Sequence, residues 1–221
     1  MDSEAKDFWQ NNNIVKSYDN KLYLGVKRAM DILGSLLGIV LLSPLFIIVS
    51  ILIKIEDPKG KILFAQERCG KNNKTFYMYK FRSMVSNAEE LLDDLKEFNE
   101  MDGPVFKIKN DPRITKIGKF IRKTSIDELP QLINVLKGEM SIVGPRPAIP
   151  REVEQYNEYQ LQRLSVKPGI TCIWQVSGRN AIDFENWVEL DLKYIRERNL
   201  MLDIKLILKT IPALLGDSNA S

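Results

Sequence analysis

From Ile32 to Ile53 the chain carries twenty-two residues without a charge, and Ser43-Pro44 stands near the middle of that run. About twenty apolar residues are enough for one helix to cross a bilayer, so the pattern predicts a lipid-embedded helical segment over residues 21–56. Pro44 has no N–H to donate and its ring presses on the carbonyl four residues back. A break is therefore expected there, with the Ser43 hydroxyl placed to satisfy a carbonyl the proline leaves open. Lys21, Lys27 and Arg28 precede the run, and Lys54, Lys59 and Lys61 follow it. A spanning helix would set one basic flank on the wrong side of the membrane, whereas a re-entrant helix-break-helix that enters and leaves by one face keeps both flanks together. A single tilted span with a proline kink is the alternative. A cleavable signal peptide does not fit, because the run is too long and follows some thirty largely polar residues, acidic ones among them.

Beyond the run, Ile62–Arg68 and Thr75–Met84 read as two strands joined by the turn-rich Cys69-Gly70-Lys71-Asn72-Asn73. Period two in the second strand puts Phe76, Met78, Lys80 and Arg82 on one face and Tyr77, Tyr79 and Phe81 on the other, so two cations project side by side. Charges of that kind also blunt ordinary edge strands. Ser86-Asn87-Ala88-Glu89 opens a helix with a capping box that runs to about Phe98, and residues 99–110 read as a loop. Thr115–Lys123 is a short amphipathic helix with Ile117, Phe120 and Ile121 inward and Lys116, Lys119 and Arg122 outward. Phe184–Arg198 is a helix whose inner stripe, Phe184, Trp187, Val188, Asp191 and Ile195, contains one acid. Met201–Leu215 is a further amphipathic helix, with Lys205 and Lys209 opposed to Ile204, Ile207, Leu208 and Ile211. It suits the plane of a membrane interface better than a core cover.

Composition narrows the chemistry. The 221 residues leave room for one soluble domain besides the apolar segment. A net charge of +3 is too small to point to nucleic acid, and no DNA-binding motif is present, although the basic residues beside the apolar run favour an anionic lipid surface. Cys69 and Cys172 are too few and too far apart for a disulfide scaffold or a zinc site, and suit a reducing compartment. There is no histidine, which removes the usual general base and every Ser-His-Asp scheme. Any catalysis is then left to carboxylates, Lys and Arg, with or without a hard metal.

Thr124-Ser125-Ile126-Asp127-Glu128-Leu129-Pro130-Gln131-Leu132 offers two helix starts, with Ser125 as N-cap of a box closed by Glu128, or Asp127 as N-cap with Pro130 in the first turn. Pro130 favours the second. Either way both carboxylates sit at the positive end of a helix, which stabilises their charged forms and suits a carboxylate nucleophile or a Mg²⁺ ligand, though it also describes ordinary capping. In Gly144-Pro145-Arg146-Pro147 two prolines hold one arginine, as bidentate phosphate recognition requires, or as a rigid structural turn would carry incidentally. Lys167-Pro168-Gly169-Ile170-Thr171 leads through Trp174-Gln175-Val176 to Ser177-Gly178-Arg179-Asn180, again placing a cation just past a tight turn. None of these is a P-loop or a dinucleotide fingerprint.

Together these motifs appear in a distinctive order. A basic pair stands before a Ser-Pro-broken apolar helix. Then come Tyr-Lys-Phe-Arg-Ser-Met at 79–84, Asp-Pro-Arg-Ile-Thr at 111–115, Ser-Ile-Asp-Glu-Leu-Pro-Gln-Leu at 125–132, Val-Gly-Pro-Arg-Pro, Lys-Pro-Gly-Ile-Thr and Gly-Arg-Asn. The chain closely resembles the bacterial sugar transferases known as monotopic phosphoglycosyl transferases, over about residues 21–215. The resemblance implies transfer of a sugar-1-phosphate from a nucleotide diphosphate sugar, usually a UDP-sugar, to polyprenol phosphate (undecaprenyl phosphate) with release of UMP. That is the priming step of a lipid-linked glycan. It implies Asp127 as the nucleophile that forms a covalent phosphosugar intermediate, Glu128 as its assistant, and Mg²⁺ held in part by Asp127. Lys80, Arg122, Arg146 and Arg179 would form the remaining cationic clamp. The chemistry is coherent, since attack by one anion on another needs charge neutralisation more than it needs histidine.

The resemblance further implies the re-entrant hairpin broken at Ser43-Pro44, a location at the cytoplasmic face of the bacterial inner membrane, and a pairing of Arg28 with Asp191 that anchors the hairpin. Family cores are often homo-oligomers, and no residue here demonstrates that. The expected fold class is α+β, a mostly helical single domain with a small β-hairpin, the re-entrant membrane helix-break-helix and amphipathic interfacial helices. The expected divisions are a polar extension (1–20), the membrane segment (21–56), a cytoplasmic catalytic domain (57–215) and a short tail (216–221). Only about twenty polar residues precede the core, which reads as the small form of the family. Two other functions compete, a glycosyltransferase that leaves UDP and a catalytically silent, membrane-anchored binding partner. The sugar and the glycan pathway are not encoded in these motifs.

Overall fold

The computed structural model describes residues 20–88, 90–98, 108, 111–177 and 182–216. The loop expected at 99–110, apart from Ile108, and the Gly178-Arg179-Asn180 motif lie outside the described residues, as do the polar extension before Asn20, Glu89 of the expected capping box and the tail after Gly216. The apolar run forms one helix, α1 (Lys21–Glu56), capped by the Asn20 side chain, which accepts from the Leu22 N–H. By length and composition it could cross a membrane. The helix runs on through Pro44. The Val40 carbonyl that proline cannot serve accepts the Ser43 hydroxyl at 2.8 Å, so the lost hydrogen bond is replaced locally.

The inward stripe of α1 steps by four, with Tyr23, Lys27, Asp31 and Ser35 buried, and resumes at Val49 and Ile53. Between them Leu36, Leu37, Val40, Leu41, Ile47 and Ile48 are exposed. Each buried polar group on the stripe is satisfied. Asp31 accepts from the Ser141 hydroxyl (3.0 Å) and the Ile142 N–H (2.9 Å), and the Ser35 hydroxyl donates to the Asp31 carbonyl. Farther along, a Cβ at Gly38 would stand 3.1 Å from Leu132, and Val49 and Ile53 cluster with Phe81 and Ile121. At the far end the Glu56 carboxylate accepts from the N–H groups of Lys116 and Ile117. The start, middle and end of α1 therefore rest on the same domain.

That domain carries a hairpin of β1 (Leu63–Cys69) and β2 (Thr75–Phe81). Asn72 and Asn73 both take positive φ in its turn, a conformation asparagine tolerates. The second strand ends three residues before the sequence pattern does, because the chain leaves β1 there and Met84 bridges to Ile114. The segment from Glu90 to Phe98 is helical as expected, but with tighter 3₁₀ turns. Next come α2 (Lys116–Lys123) and, after a single turn, α3 (Gln131–Lys137). Ile121 is buried in α2 as expected, whereas Phe120 is exposed. Two short parallel strands, β3 (Ser141–Val143) and β4 (Gly169–Thr171), are joined by the short helices α4 (Pro150–Val153) and α5 (Glu158–Leu161). The chain closes with α6 (Phe184–Glu197) and α7 (Leu200–Gly216). The largest core cluster lies between β3, β4, α6 and α7, and the α6 stripe read from the sequence is buried in full. Among the described side chains of α7, Asp203 and Leu206 are buried, while Ile204 and Leu208 are exposed with Met201.

The anchor of α1 differs from the expected one. Arg28 donates to the carbonyls of Val135 (2.6 Å) and Leu136 (2.8 Å) at the end of α3, and Asp191 pairs with Arg163 at 2.7 Å. The acid that holds the helix is Asp203, fully buried on α7. It accepts from Lys27 at 2.9 Å, from the Tyr23 hydroxyl at 2.8 Å and from the Tyr194 hydroxyl at 2.7 Å. The mistaken pairing has a physical cause: Asp191 is buried as the stripe requires, but a closer guanidinium on the 162–165 turn neutralises it. Removing one member of a buried ion pair costs about 3–5 kcal/mol. We therefore expect Asp203→Asn to lower the thermal midpoint by several degrees. A double-mutant cycle should find coupling between Lys27 and Asp203 and none between Arg28 and Asp191.

Candidate active site

Asp127 and Glu128 lie on a 3₁₀ turn, Ile126–Glu128, between α2 and α3. Neither helix start considered from the sequence forms. Ser125 makes no side-chain cap and sits at φ +53°, ψ +18°, and α3 begins only at Gln131, after Pro130. A left-handed serine is an uncommon backbone state that surrounding structure must hold in place. Its effect is to reverse the chain direction between α2 and α3. Ile126 then packs with the Val49, Ile53 and Phe81 cluster against α1, while Asp127 is buried beside Lys80 and Glu128.

Lys80, at the end of the inner face of β2, donates to Glu128 at 2.7 Å, with both groups about four-fifths buried. Its expected companion Arg82 turns away and donates to the Lys61 carbonyl. Asp127 is only 7% exposed, and burial pushes its carboxyl up to about 6 against the opposing pull of Lys80 and Arg122; neighbouring Glu128 adds to the rise. Burial thus outweighs the stabilisation of the charged form expected from a helix start. Glu128 and Lys80 line an open cleft with Arg68, Met78, Gln131, Arg146, Pro147, Gly169, Ile170 and Gln175.

Arg146 reaches this cleft because two loops interlock. Gly144 N–H donates to the Thr171 carbonyl and Gly169 N–H to the Pro145 carbonyl, each at 2.9 Å. The approach is so close that a Cβ on Gly169 would fall 2.0 Å from the Gly144 nitrogen. The Arg146 guanidinium lies 6.0 Å from the Trp187 ring, itself stacked on Trp174 with centroids 4.4 Å apart. Of the expected site residues, the structure brings together Asp127, Glu128, Lys80, Arg122 and Arg146, and Arg179 lies outside the described residues. The sequence reading missed Arg68. The available signal was a charged residue on the buried face of β1, opposite Phe76 in the register.

Among the described residues no group of three or more His, Cys, Asp or Glu is placed to hold a metal. A divalent cation here would have to use Asp127 and Glu128 and draw its other ligands from water and substrate oxygens. Mg²⁺ is commonly held that way, so the residues present fit it.

With this geometry in place, the likeness to known proteins is decisive. The family described as bacterial sugar transferase matches residues 22–217. The chain belongs to that family. It is 49% identical over 211 residues to the galactosyl transferase CpsE of Streptococcus agalactiae, covering 93% of this chain and 46% of that protein. It is 43% identical over 216 residues to the undecaprenyl-phosphate galactose phosphotransferase of Salmonella typhimurium, covering 95% of this chain and 44% of the relative. The exopolysaccharide production protein ExoY of Rhizobium meliloti is 39% identical over 191 residues, which is 85% of this chain and 84% of ExoY. The chain spans about half the length of the first two of these relatives.

The raised carboxyl of Asp127 has a consequence for stability. Between its ordinary value of 3.8 and about 6 the folded state holds a proton that the unfolded chain has lost, so stability from this group is full below 3.8 and falls as pH rises through 6. Asp127→Asn removes that loss. In Mg²⁺-free buffer at pH 8 it should stabilise the protein by on the order of 1–3 kcal/mol, a gain that vanishes near pH 4 when thermal midpoints are compared.

Proposed function

We propose that this bacterial sugar transferase moves a sugar-1-phosphate from a nucleotide diphosphate sugar, a UDP-sugar, to polyprenol phosphate and releases UMP. The observation that carries the reading is the buried Asp127 carboxylate beside the Lys80–Glu128 ion pair in a cleft lined with guanidinium groups. The names of the relatives support it, among them an undecaprenyl-phosphate galactose phosphotransferase, an undecaprenyl-phosphate glucose phosphotransferase and a UDP-N-acetylgalactosamine-undecaprenyl-phosphate N-acetylgalactosaminephosphotransferase. In the first step a carboxylate oxygen of Asp127 attacks the sugar-linked phosphorus, the phosphoanhydride bond breaks, and UMP leaves with the bridging oxygen. In the second an oxygen of the lipid phosphate attacks the same phosphorus and returns Asp127 as a free carboxylate. Glu128 pairs with the Lys80 ammonium at 2.7 Å, and in this reading it takes a proton from the incoming lipid phosphate. Lys80, Arg122, Arg146 and Arg179 hold the diphosphate. When bound at Asp127, Mg²⁺ neutralises diphosphate charge.

Burial of Asp127 has a use here. A carboxylate that pays a desolvation penalty in the free enzyme is a better nucleophile than a fully hydrated one, and a pKa of about 6 still leaves it largely ionised at neutral pH. The lipid acceptor is accommodated by position, since Ile126 packs on α1 one residue away from the nucleophile.

The same contacts support a monotopic, re-entrant placement of α1. A helix that crossed about 30 Å of hydrocarbon would carry its two ends to opposite faces, whereas Lys27 and Glu56 both bond to one domain. The exposed Leu36, Leu37, Val40, Leu41, Ile47 and Ile48 would face lipid, with Phe120, Met201, Ile204 and Leu208 at the interface. We place the site at the cytoplasmic face of the inner membrane, where nucleotide sugars are supplied, and the product as the first lipid-linked sugar of a polysaccharide.

The test is the nucleotide released when the full chain in nanodiscs meets Mg²⁺, undecaprenyl phosphate and a panel of UDP-sugars. We expect lipid-dependent UMP, reduced on the order of 10³-fold or more by Asp127→Asn. UDP as the product would mean direct glycosyl transfer and overturn the assigned roles.

A further inference from the structure

Arg68 has no part in the expected clamp, yet it is 5% exposed and lines the same cleft as Lys80, Glu128 and Arg146. Its guanidinium is held rigidly. Nη1 donates to the Pro147 carbonyl at 2.9 Å and Nη2 to Gln66 Oε1 at 2.5 Å, while Nε is buried without a hydrogen-bond partner. Among the described residues no carboxylate forms an ion pair with Arg68 or with Arg146. Burial, followed by the repulsion of Arg146, lowers the Arg68 guanidinium to about 10; Glu152 and Glu128 offset this only in part.

Two neighbouring guanidinium groups without a contacting carboxylate are costly in a folded protein. Burying one unpaired charge costs several kcal/mol unless something compensates it. Structural stability does not explain the arrangement, because Pro147 and Gln66 could be served by neutral donors. An anionic ligand does explain it. The bond from Arg68 to Pro147 also ties it to the Gly144–Pro147 turn that presents Arg146, so the two cations are fixed relative to one another before any ligand arrives. A pre-set pair of planar forks is suited to the oxygens of a diphosphate, and a rigid side chain gives up little freedom on binding.

We propose that Arg68 is a diphosphate-binding residue of this enzyme and forms with Arg146 a two-guanidinium anion site for the donor. The inference rests on the donor class proposed above, and it adds a residue on β1 to a clamp otherwise drawn from β2, α2 and the loops. It also gives the Arg68 charge, which pairs with no carboxylate among the described residues, a counter-ion in the bound state.

The experiment is equilibrium binding of two probes, UDP and inorganic pyrophosphate, to the full chain in nanodiscs with Mg²⁺, for wild type, Arg68→Gln and Arg68→Lys. Each variant's thermal midpoint is measured without ligand. We expect Arg68→Gln to weaken both probes by about 10- to 100-fold, the loss of one or two charge-assisted hydrogen bonds, while the ligand-free midpoint moves by no more than a few degrees. Arg68→Lys keeps the charge but not the fork and should recover part of the affinity. Affinity for both probes within about twofold of wild type in Arg68→Gln would overturn the inference. If Arg68→Gln does not fold, unchanged binding by Arg68→Lys overturns it instead. Wild-type binding of pyrophosphate without UDP would sink the nucleotide-sugar reading and leave Arg68 to be judged on pyrophosphate alone. No wild-type binding of either probe would sink both.

Discussion

The architecture depends on one buried carboxylate. Asp203 on α7 receives Lys27 and Tyr23 from α1 and Tyr194 from α6, so three helices converge on a single acid with no solvent exposure. Directional contacts of this kind orient an apolar helix. Hydrophobic packing is non-directional, and many packings of leucine and isoleucine side chains compete with one another. A charged, fully hydrogen-bonded cluster does not have that competition, because every alternative leaves Lys27 or Asp203 unpaired at low dielectric. With that end fixed, Asp31 seats on β3, Gly38 against Leu132, and Glu56 on α2.

The site inherits its position from this seating. The turn that carries Asp127 has Ile126 on the α1 side and Asp127 beside the cleft that Lys80 and Glu128 line, and the left-handed Ser125 makes that reversal. The same packing that fixes the turn dehydrates the carboxylate and raises its pKa, so the burial that places it beside α1 also tunes it. On the other wall, Gly144 and Gly169 meet so closely that only glycine is tolerated, and this contact brings the Arg146 turn and the 167–171 loop to one cleft. Arg146 thereby faces one cleft with Gly169 and Ile170. The cleft also carries the Arg68 and Arg146 charges with no carboxylate paired to either among the described residues, and the proposed anion site rests on that imbalance.

Much of this was legible without coordinates. A run of twenty-two uncharged residues predicts its helix whatever surrounds it, because periodicity and the cost of burying polar backbone in lipid are local matters. The bond between Ser43 and the Val40 carbonyl was equally readable, since it spans less than one turn. Alternation along β2 put Lys80 on the inner face, and the stripe of α6 put Asp191 in the core. Failures came where a residue had to choose among distant partners. Asp191 was correctly buried but assigned to Arg28, when Arg163 was nearer. Phe120 was placed inward by helical spacing and is exposed. The Ser-Ile-Asp-Glu segment has every mark of a capped helix start, yet it folds as a 3₁₀ turn because packing of Ile126 and the reversal at Ser125 outweigh about 1 kcal/mol of capping.

Sequence alone singled out the carboxylate pair, the lysine on β2, the arginine between prolines and the apolar helix with its basic flanks, together with the elements that present them. These depend on residue type and on spacings of two or four, both of which are properties of a few neighbouring residues. Only the tertiary structure decided which charges meet, that Arg68 joins the cleft, that Asp203 anchors α1, and that Asp127 is dehydrated enough to hold its proton near pH 6. Those outcomes are set by Coulomb interaction and desolvation, which depend on distance and burial in three dimensions rather than on separation along the chain.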